Sequence, residues 1–272
     1  MRAEGLGVRG WGLGNRQIIM ARLRYKLTIA YDGSQFHGWQ EQCPPDSQPL
    51  RTVQGVVRAT CQQVLGQPLE LVGASRTDTG VHAMGQVAHL DADTSIPVER
   101  MAMAITSRLP DDVEVRTVEL AAPDFDAIRD ARRKQYRYRI WACEHRPLQL
   151  RHCVYHCWVP LNVRAMNDAA MRLVGEHDFV SFANAAHGRL TTVRTIYDCH
   201  IEHAPDSPEI HIVVQGNGFL YNMVRIIAGT LFEVARGHRP PEYIDQLLAT
   251  PDRQQAGPTL PPEGLVLEWI KY

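Results

Sequence analysis

From Arg24 the chain alternates: Tyr25, Leu27, Ile29 and Tyr31 are separated by polar or small residues until Asp32-Gly33 interrupts them. This is the period-two pattern of a half-buried strand running into a turn. The period then lengthens. Val53, Val56, Val57, Thr60, Cys61, Val64 and Leu65 follow i, i+3, i+4 spacing between a Thr52 able to cap a helix and a Gly66 able to stop it. Strands are expected near 69–74, 85–92, 113–120 and 133–142, with a helix near 97–108 opened by Pro97. The remainder predicts strands near 152–158, 193–203, 209–216 and 265–272, and helices near 163–175, 220–236 and 241–248. Adjacent strand pairs separated by helices imply an α+β fold with mostly antiparallel sheet and helices on one face.

Two similar halves are expected, 22–142 and 143–272, joined through "CEHRPLQLR" (143–151), although no exact repeat relates them. Residues 1–21 are rich in Gly and Arg and have no periodicity, so a flexible tail is expected there, with Met20 as an alternative start.

Composition narrows the classes. With 272 residues, 44% hydrophobic and 22% charged, the chain can bury one large core or two small ones. No apolar run approaches the roughly 20 residues of a spanning helix, and no secretory core opens the chain, so a soluble, cytoplasmic protein without a membrane partner is expected. Six irregularly spaced cysteines read as reduced thiols rather than a disulfide framework. The net charge of −1 excludes a globally basic nucleic-acid binder but leaves room for a local basic patch.

Three stretches could carry chemistry. "GASRTDTGVHA" (73–83) packs Arg, Asp and His among more turn-forming residues than a hairpin needs. If the segment is extended, Arg76 and Asp78 point the same way, and the guanidinium would keep the carboxylate ionised and nucleophilic. A turn Asp with an incidental ion pair is the competing reading. "RDARRKQYRYR" (129–139) holds six basic residues in eleven. As a strand it would turn Tyr136, Tyr138 and Ile140 to one face and Arg137 and Arg139 to the other, an arrangement that suits RNA through phosphate contacts and base stacking. A solvated edge strand protected by charge reads equally well. In "NGFLYNMVRIIAGTLFEVARG" (217–237), Arg225 lies among apolar helix positions and needs a partner, structural or catalytic.

Other signals are weaker. His152, Cys153, His156 and Cys157 cluster, but along a strand they cannot converge on one metal, so no metal is assigned. His177-Asp178 reads as a cap or loop pair. No phosphate-binding loop, dinucleotide fingerprint or nucleophile elbow is present.

Nine segments, from "YKLTIAYDGSQFHGWQ" (25–40) and "GASRTDTGVHAMGQVAH" (73–89) through "FDAIRDARRKQYRYRI" (125–140) and "NGFLYNMVRIIAGTL" (217–231) to "PPEGLVLEWIKY" (261–272), together resemble the TruA family of tRNA pseudouridine synthases over residues 24–272. The resemblance implies the pseudouridine synthase fold and a homodimeric isomerase. Such an enzyme converts uridine to pseudouridine at positions 38, 39 and 40 of the tRNA anticodon stem-loop without cofactor. It puts the catalytic aspartate at Asp78, the motif arginine at Arg76, the active-site tyrosine at Tyr136, the helix arginine at Arg225 and the start of the pocket-lining strand at Leu265. Tyr136 would stack on a flipped-out uracil and assist proton removal from C5, and Arg132, Arg133 and Lys134 are expected to contact phosphate. Ser75 and Thr79 depart from the family's usual Gly and Ala, and Asn222 stands where His is also common. Two rivals stay open: an RNA-binding protein that has lost catalysis, and a carboxylate glycosidase, which would need a second acid.

Overall fold

The computed structural model describes residues 22–42, 48–184 and 191–272; the expected tail at 1–21 lies outside them. Among the described residues ten strands form one continuous sheet: β1 (Leu23–Tyr31), β2 (Val72–Gly73), β3 (His82–Ala92), β4 (Val113–Leu120), β5 (Arg133–Ala142), β6 (Tyr155–Cys157), β7 (Gly175–Asp178), β8 (Val193–His203), β9 (Glu209–Gly216) and β10 (Leu265–Lys271). The order is β4-β1-β3-β10-β5-β9-β8-β7, with β2 beside β3 and β6 beside β5. All pairs are antiparallel except β10–β3 and β5–β6. The described residues also form five α-helices: α1 (Val53–Leu65), α2 (Val98–Thr106), α3 (Val163–Met171), α4 (Met223–Ala235) and α5 (Tyr243–Ala249).

Register aligns the inward positions. Tyr25, Leu27 and Ile29 pair with Leu90, Ala88 and Gln86, while Tyr136, Tyr138 and Ile140 pair with Val214, Ile212 and Ile210. All twelve are buried, on the face the helices cover. The caps of α1 form as expected: the Thr52 side chain accepts from the Gly55 amide, and Gly66 closes the helix in the left-handed conformation.

Some elements differ from expectation. The strand near 69–74 shrinks to two residues and the one near 152–158 to three, leaving His152 and Cys153 in a turn. β7 has no hydrophobic alternation to announce it: its residues are alternately half-buried and exposed. The last strand of the chain, β10, inserts between β3 and β5, so hydrogen bonds cross the 142/143 boundary in the middle of the sheet.

Candidate active site

The segment between β2 and β3 is a loop, held from several sides. Gln86, fully buried on the inner face of β3, accepts from the Ser75 amide at 3.2 Å and from the Val87 amide at 3.2 Å, and its side-chain amide donates to the Ser75 carbonyl at 2.5 Å. The Thr77 hydroxyl meets the Tyr31 hydroxyl at 2.7 Å, in a buried contact. From the other side the Trp39 amide donates to the Thr77 carbonyl at 3.0 Å, and the Gly80 amide donates to the Phe36 carbonyl at 3.3 Å. Gly38 makes this approach feasible: its φ is +86°, and a Cβ there would lie 2.7 Å from the Thr77 carbonyl oxygen. A loop with its buried polar groups satisfied in this way is rigid.

That rigidity fixes Asp78 on the wall of a cavity of about 990 Å³. Its Oδ2 lies 3.6 Å from Nη1 of Arg225, an ion pair rather than a hydrogen bond. Burial pushes the Asp78 carboxyl above its ordinary value, and Arg225 opposes that shift. Arg225 comes from the first turn of α4, where its Nε donates to the Leu260 carbonyl at 2.7 Å and its Nη1 to Asn222 Oδ1 at 2.8 Å.

Tyr136 projects from β5 into the same cavity. Its hydroxyl lies 3.0 Å from Ser75 Oγ, and its ring meets Phe219 edge to face with centroids 5.2 Å apart. Burial pushes its phenol up to about 12, with the Ser75 hydrogen bond opposing, so it is neutral at physiological pH. Leu265 lies in the wall, as do Arg76, Lys134 and Arg194, and among the described lining residues Asp78 is the sole carboxylate.

A model of the family described as tRNA pseudouridine synthase matches residues 27–128 and 169–272. The chain belongs to that family. Three relatives bear the name tRNA pseudouridine synthase A. The Brevibacillus brevis protein is 42% identical over 92% of this chain and 99% of its own. That of Geobacillus kaustophilus is 43% identical over 92% and 94%, and that of Thermoanaerobacter sp. is 41% identical over 90% and 98%. A chain in the crystal structure of a Cbf5-Nop10-Gar1 complex aligns with 89% of this one and 57% of its own length, at 10% identity and a TM-score of 0.31, too distant to bear on the argument.

Within this member of the synthase family, Asp78, Arg76, Tyr136 and Leu265 all line one cavity, with Arg225 directly behind Asp78. Arg76, however, is not the partner of Asp78. It is exposed and has no ion pair or side-chain hydrogen bond among the described residues. The two-residue rule that set it beside Asp78 holds for strands, and this segment is a loop. Lys134 reaches the cavity and donates to the Ala74 carbonyl at 2.7 Å. Arg132 and Arg133 are exposed, Arg133 with its guanidinium 4.5 Å from the Tyr197 ring centroid.

The basic face of β5 is also corrected. Arg137 pairs with Glu268 and Glu202, and Arg139 with Glu209 at 3.1 Å, so these cations are neutralised rather than turned to solvent. β5 lies inside the sheet between β10 and β9, which removes the edge-strand reading as well. The pair His177 and Asp178 lies on β7, where Asp178 accepts from the Val180 amide, a structural turn.

Sequence reasoning missed Ser75 as the partner of Tyr136, and Gln86 beneath the loop. The signal for Gln86 was present: an amide at an inward strand position, two residues before Ala88, must find buried partners.

One group elsewhere could be read as metal-binding. Donor atoms of Asp32, His82 and Cys153 lie within 4.8 Å of one another. Two of the donors already have partners: Asp32 Oδ1 accepts from the Ser34 amide and hydroxyl and His82 Nδ1 accepts from the Gly33 amide, while His82 Nε2 is buried without a partner and burial raises the Cys153 thiol. We assign it no metal.

Proposed function

We propose that the protein is a tRNA pseudouridine synthase that isomerises uridine to pseudouridine at positions 38, 39 and 40 of the anticodon stem-loop. In this reading it works in the cytoplasm as a homodimer of two-halved subunits, 22–142 and 143–272, with Asp78 as nucleophile and no cofactor. The observation that carries the reading is a lone, desolvated carboxylate fixed by a rigid loop and paired with the Arg225 guanidinium, in a cavity whose wall also carries the cations Arg76, Lys134 and Arg194 and the rings of Tyr136 and Phe219. A glycosidase would present a second carboxylate across the cavity.

The chemistry follows from those groups. A uridine leaves the helical stack, at a cost of a few kcal/mol, and enters the cavity. An Asp78 oxygen bonds to C1′ as the N1–C1′ bond breaks, and the bonding pair leaves on the uracil. The base turns, C5 attacks C1′, the carboxylate departs, the C5 proton is lost and N1 gains one. Arg225 favours the ionised carboxylate that starts and ends this cycle. A Tyr136 phenol held neutral serves as a surface for the base rather than as the group that takes the C5 proton.

The test is an unmodified tRNA transcript with uridines at 38, 39 and 40, incubated with the protein and mapped nucleotide by nucleotide. Pseudouridine at those positions is expected. Product confined to other positions would overturn the site assignment, and no product from a folded, tRNA-binding protein would overturn the reaction.

A further inference from the structure

Asn222 is the one described residue other than glycine whose backbone lies in the left-handed region, at φ 61° and ψ 5°. A side chain there carries a steric cost that glycine escapes, so what asparagine adds at this position is its amide. The residue is the N-cap of α4, where an asparagine oxygen ordinarily accepts from an amide in the first turn. It makes no such cap. Its Oδ1 instead accepts from Arg225 Nη1 at 2.8 Å, the nitrogen that stands 3.6 Å from Asp78 Oδ2. Arg225 Nε is tied separately to the Leu260 carbonyl at 2.7 Å. The guanidinium is thus held at two points, and the bond that sets its Asp78 end comes from Asn222, itself on the cavity wall.

We infer that Asn222 is a positioning residue: its carbonyl, presented by a left-handed turn, fixes the Arg225 guanidinium against Asp78. The inference rests on the reading of Asp78 as the reacting carboxylate. Arg225 with a single tether would swing among rotamers, and Asp78 would spend part of its time buried without a cation. The titratable and charged groups facing Asp78 are Arg225 from α4 and Tyr136 from β5, with Arg76 on its own loop, Lys134 of β5, Arg194 of β8 and Tyr221 ahead of α4 in the same cavity. Arg225 alone of these opposes the upward push of burial on Asp78, so loosening it moves that carboxyl further up.

Asn222→Gly is the informative variant, because glycine adopts the same backbone without strain while deleting the carbonyl. Thermal unfolding should show an intact fold. On tRNA, kcat is expected to fall on the order of tenfold to a hundredfold with KM within about twofold, and the acid limb of the kcat profile should move to higher pH. An unchanged kcat would reduce Asn222 to a turn residue, and a raised KM at constant kcat would make it a substrate contact; either result overturns the inference. Titration of the Asp78 carboxyl by carbon NMR in unliganded protein, assigned with Asp78→Asn, separates this idea from the proposed reaction. The carboxyl should titrate higher in Asn222→Gly than in the wild type whether or not the wild type forms pseudouridine, and identical titrations would refute the coupling.

Discussion

Neighbouring residues of the same two strands open onto different cavities. Tyr136 and Leu265 face the cavity that holds Asp78, whereas Arg137 and Val266, one position along, face a second cavity of about 480 Å³ on the other side of the sheet. Among described residues the first is lined by Arg76, Lys134 and Arg194 against a single acid, Asp78. The second is lined by Asp32, Asp111, Asp112, Glu114 and Glu268 against Arg137 and Arg139. A polyanion is attracted to one and repelled by the other, although the chain as a whole is nearly neutral. Net charge therefore says little about nucleic-acid binding here; the alternation of side chains across β5 and β10 says much more.

Taking away the ion pair on the first face should produce the largest effect. In Arg225→Met, Asp78 keeps its desolvation and loses its cation, so kcat is expected to fall on the order of a hundredfold. The sign of the pH effect is fixed. Burial already raises the Asp78 carboxyl and Arg225 lowers it, so without Arg225 the ionised, active form appears only at higher pH. A pH–rate profile checks this, and an acid limb that stays in place would break the account of the pair.

Charge removal sharpens the contrast between the faces. Replacing both Lys134 and Arg194, which line the first cavity, with Gln should weaken tRNA binding and lower the slope of log affinity against log salt by about 1 to 2. Asp111→Asn with Glu114→Gln, on the second face, should leave that slope unchanged. Equal responses from the two faces in a salt titration would show that the comparison carries no functional content.

The smallest effect is expected from Ser75→Ala. Tyr136 loses its hydroxyl partner, the phenol rises further, and the fold loses about 1 kcal/mol. Because the phenol is already neutral, turnover should change only a few-fold. A large loss of kcat in this variant would assign Tyr136 a proton-transfer role after all.

Strands 113–120, 133–142, 193–203 and 209–216 are readable to the residue because runs rich in β-branched and aromatic residues lie between turn residues, even where a bulge breaks the alternation in the first and third. Helix ends were overextended at 108 and 175, where the final turn passes into non-helical turn structure after Thr106 and Met171. Of the residues singled out in the sequence, several come together on one cavity wall, but their pairing was misread. Asp78 and Tyr136 stood out through loop composition and strand face, but the cation beside Asp78 arrives from a helix far along the chain. What pointed to it was a charge among the apolar positions of that helix, a demand for a partner without an address. The neutralised fate of Arg137 and Arg139 was equally hidden, because Glu202, Glu209 and Glu268 belong to β8, β9 and β10.

The central claim is that Asp78 supplies the chemistry while the surrounding cationic surface supplies the affinity. Single-turnover pseudouridine formation and equilibrium tRNA binding, measured side by side for the wild type and Asp78→Asn, test it most directly. The account predicts a rate lower by on the order of a thousandfold or more in the variant, with the dissociation constant within about threefold of wild type. Residual turnover near the wild-type rate, or a loss of binding as large as the loss of rate, would contradict it.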